Sequence, residues 1–186
     1  AIAVLANTPH TIQDVVQYAG LPSSRAIMVP HVAELDQFKQ VFHRVSSIKK
    51  RDYFQWTTNL GPHKNHELTL EALNSYYESG GSLRCHVTGV GSDYLDPKTK
   101  VNEGELAPHV VAARMLVASR PSLRENINFL GNIPNHEYVT QMCGANFLLH
   151  NVIMDNGTLC AVEAAYGGTP TLSSDYPPMR YLSERY

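Results

Sequence analysis

The chain has 186 residues, of which 43% are hydrophobic and 17% charged, and its formal net charge is -2. This length allows one α/β domain, or one domain with part of another, and the near-neutral charge argues against extensive nucleic-acid binding, which needs many Lys and Arg on the phosphates. No apolar run approaches the roughly 20 residues of a membrane span, no signal peptide begins the chain, and three scattered cysteines favour reduced thiols, which together predict a cytoplasmic protein.

The first part of the chain predicts a strand, a helix and a second strand. AIAVLA is typical of a buried strand. Thr8 or Thr11 is a suitable cap for the following helix, which we expect to end at Gly20. A mixed charged and apolar segment from about Glu34 to Lys50 then indicates a connector.

From Asp52 onward, strands alternate with helices. The predicted strands are YFQWTT, RCHVTGVG, NINFLG, ANFLLH and TPTLSS, and the predicted helices are NHELTLEALNSYYESGG, PHVVAARMLVASR, one opening at Pro134 or Asn135, and TLCAVEAAYGG. The polar stretch SDYLDPKTKVNEGEL predicts a surface excursion. This alternation indicates an α/β fold, a Rossmann-like parallel sheet with helices on both faces, whose ligands bind at the carboxyl ends of the strands.

The loop NVIMDNG and the helix after it combine small apolar residues with two carboxylates, Asp155 and Glu163. A helix that starts near Thr158 leaves its first N–H groups without intrahelical partners and carries about half a positive charge there. Gly157 lets a ligand approach the backbone closely, so phosphate or sugar oxygens fit this place. Asp155 could then accept hydrogen bonds from hydroxyls, and Glu163 could take a ribose diol. The alternative is that Asp155 only shapes a turn and Glu163 points to water.

The turn TTNLGPHKNH places Lys64 at a helix N-terminus, where its charge opposes the helix dipole. An anion such as a diphosphate between the two would explain this arrangement, and a solvated lysine is the alternative. We interpret His63 and His66 as surface histidines, because no third metal ligand follows at a plausible spacing. GVG at 89–91 lacks the third glycine of a dinucleotide fingerprint, and Cys160 lies in an apolar helix rather than beside a base.

Four segments in this order resemble the nucleotide-sugar-binding C-terminal domain of retaining glycosyltransferases with two Rossmann-like domains, the large family four of the GT-B fold. They are GPHKNHELTLEAL, FLGNIPNHEYVTQMCGANFLLH, DNGTLCAVEAAYGGTP and SSDYPPMRYL. The family's motif of two glutamates separated by seven residues is matched by Glu163, with Asp155 in place of the first glutamate. The Asp-Asn-Gly-Thr form is similar to bacterial mannosyltransferases that build cell-surface polysaccharides. The opening segment resembles the end of the acceptor-binding domain, which predicts two domains, 1–48 and 49–186.

The resemblance implies a role for each matched position. Lys64 would contact the donor diphosphate, Asp155 the hydroxyls of the donor sugar, and Glu163 the ribose. Thr58 stands where many members carry an arginine. The remaining donor-binding positions are backbone segments, namely Asn156, Gly157, Thr158 and Leu159 around sugar and phosphate, and Gly131, Asn132 and Ile133 beside the base.

The resemblance also implies a reaction, which is retaining transfer of a hexose from a nucleotide sugar, with GDP-mannose as the expected donor and no metal or cofactor required. The acceptor would be a glycan or glycolipid held through the rest of the acceptor domain, and the full-length protein could associate peripherally with a membrane. Because we expect most of that domain and the final helices to lie outside this chain, we expect donor binding with little transfer. The alternatives are a non-catalytic sugar-nucleotide-binding module of a polysaccharide assembly complex and a sugar-nucleotide epimerase.

Overall fold

A computed structural model describes residues 3–31, 36, 38, 52–156 and 159–185, whose strands form two parallel sheets. The smaller sheet pairs β1 (Val4–Ala6) with β2 (Ala26–Met28), and helix α1 (Pro9–Ala19) connects them. Thr8 is the cap of α1, since its hydroxyl oxygen accepts from the backbone N–H of Thr11 at 3.2 Å. The predicted strand–helix–strand order is confirmed, whereas the predicted domain boundary after residue 48 lies outside the described residues.

The larger sheet contains five parallel strands in the spatial order β5–β4–β3–β6–β7. Its strands are β3 (Tyr53–Thr57), β4 (Arg84–Thr88), β5 (Ile127–Gly131), β6 (Leu148–His150) and β7 (Thr171–Ser173). The chain runs outward from β3 to β5 on one side and then returns to β6 on the other side of β3. The loops after β3 and β6 therefore diverge at a topological switch point, where open α/β sheets bind their ligands.

Helices cover both faces of the larger sheet, which confirms the predicted α/β fold. They are α2 (His66–Glu78), α3 (Pro108–Ser119), α4 (Pro121–Asn126), α5 (Asn135–Gly144), α6 (Leu159–Tyr166) and α7 (Pro177–Ser183). One apolar cluster joins α2, α3 and α4 to Phe54 and Val87, and a second joins α5 and α6 to Leu148. The short helices α4 and α7 were not expected from the sequence. No helix in the described part of the chain is long and apolar enough to cross a membrane.

The polar stretch after β4 is more than the surface excursion that the sequence predicts. It forms two 3-10 turns, Ser92–Leu95 and Glu103–Glu105, and Leu95 is fully buried in the core. The buried guanidinium of Arg114 donates to three backbone oxygens of this stretch at 2.6, 2.7 and 3.2 Å. Most of the stretch lies at the surface, as predicted, but a polar sequence does not reveal that a cation on a neighbouring helix holds the carbonyl groups of the loop.

Candidate functional site

At the switch point, the loop after β3 and the loop after β6 bring two predicted site residues into contact. Lys64 ends the 3-10 turn Pro62–Lys64 directly before α2, and Asp155 lies in the loop after β6. Lys64 Nζ donates to Asp155 Oδ2 at 2.7 Å although the residues are 91 positions apart. The backbone N–H of Ile153 also donates to the carbonyl oxygen of His63 at 2.8 Å, which ties the two loops together.

The ion pair is largely buried, but part of it is open to a ligand, since the side chains of Lys64 and Asp155 are 11% and 22% exposed. Burial alone would raise the pKa of Asp155, but the hydrogen bond and charge of Lys64, with help from the backbone N–H of Asn156, hold that pKa below its ordinary value. Asp155 is therefore ionised at neutral pH. Because an ammonium has three donor hydrogens, Lys64 can contact a second anion while it keeps this partner.

A buried histidine at the end of β6 lies close to this pair. His150 is 1% exposed, and its Nε2 is 3.0 Å from the hydroxyl of Tyr176. Burial and then the charge of Lys64 lower the pKa of His150 to about 4, against the opposing effect of Asp155, so the ring is neutral at physiological pH. Its Nδ1 lies 4.0 Å from Cys160 Sγ. The expectation that Cys160 has no base beside it is therefore wrong, because β6 and α6 bring the two side chains together.

A cavity of about 540 Å³ opens beside Asp155. The first turns of α1, the loop after β6 and the start of α7 form its walls, so segments that adjoin both sheets line the same space. Its polar residues include His10, Thr11, Asp14, Asn156 and Tyr176. This lining offers several hydrogen-bond donors and acceptors, which suits a ligand with many hydroxyl groups.

Glu163 has a protein partner instead of pointing only to water. The hydroxyl of Tyr138, in α5, donates to Glu163 Oε2 at 2.7 Å. Burial, followed by the nearby Cys160 and Glu163, raises the pKa of Tyr138, so the phenol stays protonated. Tyr138 lines a second cavity of about 270 Å³. Glu163 is thus linked through Tyr138 to this smaller cavity, whereas Asp155 lines the larger one.

The loop after β5 borders the smaller cavity, where Asn132 and Ile133 are lining residues. Gly131 ends β5 with a φ of 68°, a conformation that favours glycine. Gly89, which also lines this cavity, has a φ of 127°, and an added Cβ would lie 1.9 Å from the carbonyl oxygen of Thr58. This glycine, which the sequence did not single out by itself, allows two backbone segments to approach closely at the carboxyl edge of the sheet.

The segment before α6 is described in part. Asn156 lines the larger cavity, and Leu159 is the first residue of α6 with 41% of its surface exposed. Gly157 and Thr158 lie outside the described residues. The predicted backbone cradle for sugar and phosphate therefore stays a prediction.

His66 is not the surface histidine that the sequence predicts. It is 3% exposed, and its Nε2 lies 2.8 Å from the carbonyl oxygen of Asn59 and 3.1 Å from Thr58 Oγ1. Burial lowers its pKa to about 4. The interpretation is wrong because α2 turns its first side chain inward beneath the end of β3. Within the described ranges, no three His, Cys, Asp or Glu side chains are grouped so that they could hold a metal ion.

Comparisons with known proteins agree on the fold. No protein-family profile matches the chain, and no curated protein matches it. WaaG, a glycosyltransferase involved in lipopolysaccharide biosynthesis, superposes with a TM-score of 0.66 and 18% identity over 97% of this chain and 46% of its own. The pneumococcal O-GlcNAc transferase GtfA, in complex with UDP and GlcNAc, superposes with a TM-score of 0.65 and 12% identity, over 95% of this chain and 31% of GtfA. The catalytic domain of Starch Synthase IV from Arabidopsis thaliana, bound to ADP and acarbose, superposes with a TM-score of 0.64 and 12% identity, over 97% of this chain and 41% of that domain.

These structures are GT-B glycosyltransferases, and the chain shares their α/β fold with its five-stranded parallel sheet. It spans less than half of the length of each of the three proteins.

Proposed function

We propose that this chain forms the nucleotide-sugar-binding part of a glycosyltransferase. The observation that carries the proposal is the ion pair of Lys64 and Asp155, which joins the loops of two adjacent strands at the switch point, beside a cavity that several polar side chains line. An ammonium and a carboxylate in contact at this edge suit a ligand that carries both phosphate and hydroxyl groups.

Each group then has a role in transfer. As the bond between sugar and phosphate breaks, negative charge accumulates on the leaving diphosphate. Lys64 stabilises that charge more than it stabilises the bound donor, which lowers the barrier. Asp155 accepts hydrogen bonds from sugar hydroxyls and offsets positive charge that develops on the sugar ring. Glu163 binds the ribose, and the loop from Gly131 to Ile133 lies beside the base.

The finer assignment is a retaining hexosyltransferase that uses GDP-mannose, needs no metal and extends a cell-surface polysaccharide or glycolipid. It rests on the Asp-Asn-Gly-Thr segment and on the spacing of Asp155 and Glu163. The division into 1–48 and 49–186, a cytoplasmic location and a peripheral contact of the full-length protein with membranes belong to the same proposal. UDP accompanies GtfA and ADP accompanies Starch Synthase IV, so uracil and adenine are the bases against which guanine must be compared.

One observation favours a second candidate, a sugar-nucleotide-binding module without turnover. Thr58 is 4% exposed and pairs with His66, so the position that carries arginine in many relatives supplies no cation for a leaving diphosphate. The full-length protein, incubated with GDP-mannose with and without a glycan acceptor, separates the candidates. Transfer only with acceptor indicates the enzyme, and binding without turnover indicates the module. Release of nucleoside diphosphate without acceptor indicates an epimerase.

Calorimetric titration of the chain with GDP, UDP, ADP and guanosine tests the site itself. Lys64→Ala should weaken GDP binding about tenfold to a hundredfold, because a hydrogen bond to a charged group contributes roughly 1.5–3 kcal/mol. Guanosine has no phosphate and should be affected much less. The matched control is Lys98→Ala, at an exposed lysine of the stretch after β4. Equal GDP affinity of the wild type and Lys64→Ala would remove Lys64 from the site.

A further inference from the structure

Tyr138 stands between the proposed ribose ligand and the smaller cavity. It is the fourth residue of α5, and its side chain lines the cavity together with Asn132 and Ile133. Its hydroxyl reaches across to α6 and donates to Glu163 Oε2 at 2.7 Å. One phenol therefore joins two helices and a cavity wall.

This hydrogen bond fixes the direction of the Glu163 carboxylate. Because the phenol stays protonated, it acts as the donor, and a bond from a neutral donor to a carboxylate is stronger than one between neutral groups. If Glu163 rotated toward solvent, it would lose this bond. A carboxylate offers about four lone-pair sites, so a bond from Tyr138 and bonds from two vicinal hydroxyls are compatible.

We propose that Tyr138 is a positioning residue, which orients Glu163 toward the ribose diol and thereby makes the site select ribonucleotides over 2′-deoxyribonucleotides. The inference rests on the proposed function, because it takes Glu163 as the ribose ligand. Preference for the 2′-hydroxyl follows because a carboxylate held by one oxygen presents the rest of its acceptor sites in a fixed direction. A ribose diol donates to this carboxylate with both hydroxyls, whereas a 2′-deoxyribose has only one of the two to donate.

Titration calorimetry with GDP and 2′-deoxy-GDP tests this role on the 186-residue chain. The variants are Tyr138→Phe, which keeps the ring in the cavity wall, Glu163→Gln, and the double variant. The control is Tyr18→Phe, since Tyr18 is 78% exposed on α1. Tyr138→Phe should weaken GDP binding about fivefold to thirtyfold and 2′-deoxy-GDP binding by less than about twofold. In the Glu163→Gln background, the same change should alter GDP affinity by less than about twofold, because the partner through which Tyr138 acts is already changed.

The outcomes separate the two proposals. Failure of the wild type to bind either nucleotide would overturn the proposed function, and this inference with it. If the wild type binds GDP, the positioning role is overturned by any one of three results. These are equal wild-type affinity for the two nucleotides, unchanged GDP affinity in Tyr138→Phe, and equal loss of both nucleotides together with a lower melting temperature. The last result would mean that Tyr138 only ties α5 to α6.

Discussion

Breaking the ion pair of Lys64 and Asp155 should lower the free energy of unfolding, and the size of the loss depends on how deeply the pair is buried. An exposed pair contributes roughly 0.2–1 kcal/mol, whereas loss of one partner from a buried pair costs about 3–5 kcal/mol. With side chains 11% and 22% exposed, this pair lies between those limits. Lys64→Ala, which leaves a half-buried carboxylate without its cation, should therefore lower the free energy of unfolding by about 2 kcal/mol.

Urea unfolding at pH 7 of the wild type, Lys64→Ala, Asp155→Ala and the double variant measures the interaction. The double variant should be more stable than the sum of the single effects predicts, by about 1–2 kcal/mol. In a thermal scan, each single change should lower the melting temperature by about 4–8 °C, since about 1 kcal/mol corresponds to about 2–4 °C at this chain length. Lys98→Ala should change the unfolding free energy by less than about 0.5 kcal/mol.

The coupling energy between Lys64 and Asp155 should decrease in acid. The pKa of Asp155 is lowered in the folded chain from an ordinary value of 3.8, so its contribution is present above that pH and is lost as the pH falls through the folded pKa. The coupling energy should thus be the same at pH 7 and pH 5 and vanish in stronger acid. A coupling energy near zero at pH 7 and low salt, or one that grows on acidification, would refute the reasoning.

Three further measurements test the structure around the site. Leu70→Ala removes a side chain that is 0% exposed and should cost about 2–5 kcal/mol in urea unfolding, whereas Leu68→Ala on the same helix, at 56% exposure, should cost less than about 0.5 kcal/mol. Gly80→Ala meets no atom within 4 Å and should cost about 1–2 kcal/mol for its positive φ alone, and Gly89→Ala, with a Cβ 1.9 Å from a backbone oxygen, should cost at least about 2 kcal/mol more. Because burial lowers the pKa of His66 from 6.5 to about 4, the unfolded chain binds the proton more readily, so stability should fall as the pH falls from 6.5 toward 4, and His66→Gln should reduce that loss. Equal effects within either pair, or an unchanged pH profile, would contradict the structure.

The sequence predicts the helices and strands, which depend on local pattern, but it leaves open the contacts that depend on the order of the strands in the sheet. The alternation of strands and helices and the helix end at Gly20 follow from periodicity and turn chemistry. Lys64 and Asp155 could each be placed after a strand, but their contact requires β3 and β6 to be neighbours, which no local pattern encodes. His66 was missed for a related reason. A buried histidine differs from an exposed one only in its partners, here a carbonyl oxygen and a hydroxyl that the fold supplies.

Several buried polar side chains lie around the carboxyl edge of the larger sheet, where they cost stability. Thr88 and His150 end β4 and β6, and Thr58 directly follows β3. His66, the first residue of α2, is hydrogen-bonded to Thr58, and each of the four is at most 4% exposed. His66 Nδ1 is buried without a hydrogen-bond partner among the described residues, which costs about 1–3 kcal/mol. Selection for stability alone would favour apolar side chains there, and local departures of this kind are expected at functional sites.

This reasoning makes a last prediction about the polar edge. His66→Leu replaces the ring by an apolar side chain and removes both the unpartnered Nδ1 and the hydrogen bonds of Nε2, two effects of opposite sign, so it should change the free energy of unfolding at pH 7 by less than about 1 kcal/mol. It should also weaken GDP binding, because His66 supports Thr58 and Asn59 in the loop that carries Lys64. Urea unfolding and calorimetry on the same preparation measure both effects. A variant with higher stability and unchanged GDP affinity would show that the buried histidine serves neither the fold nor the ligand.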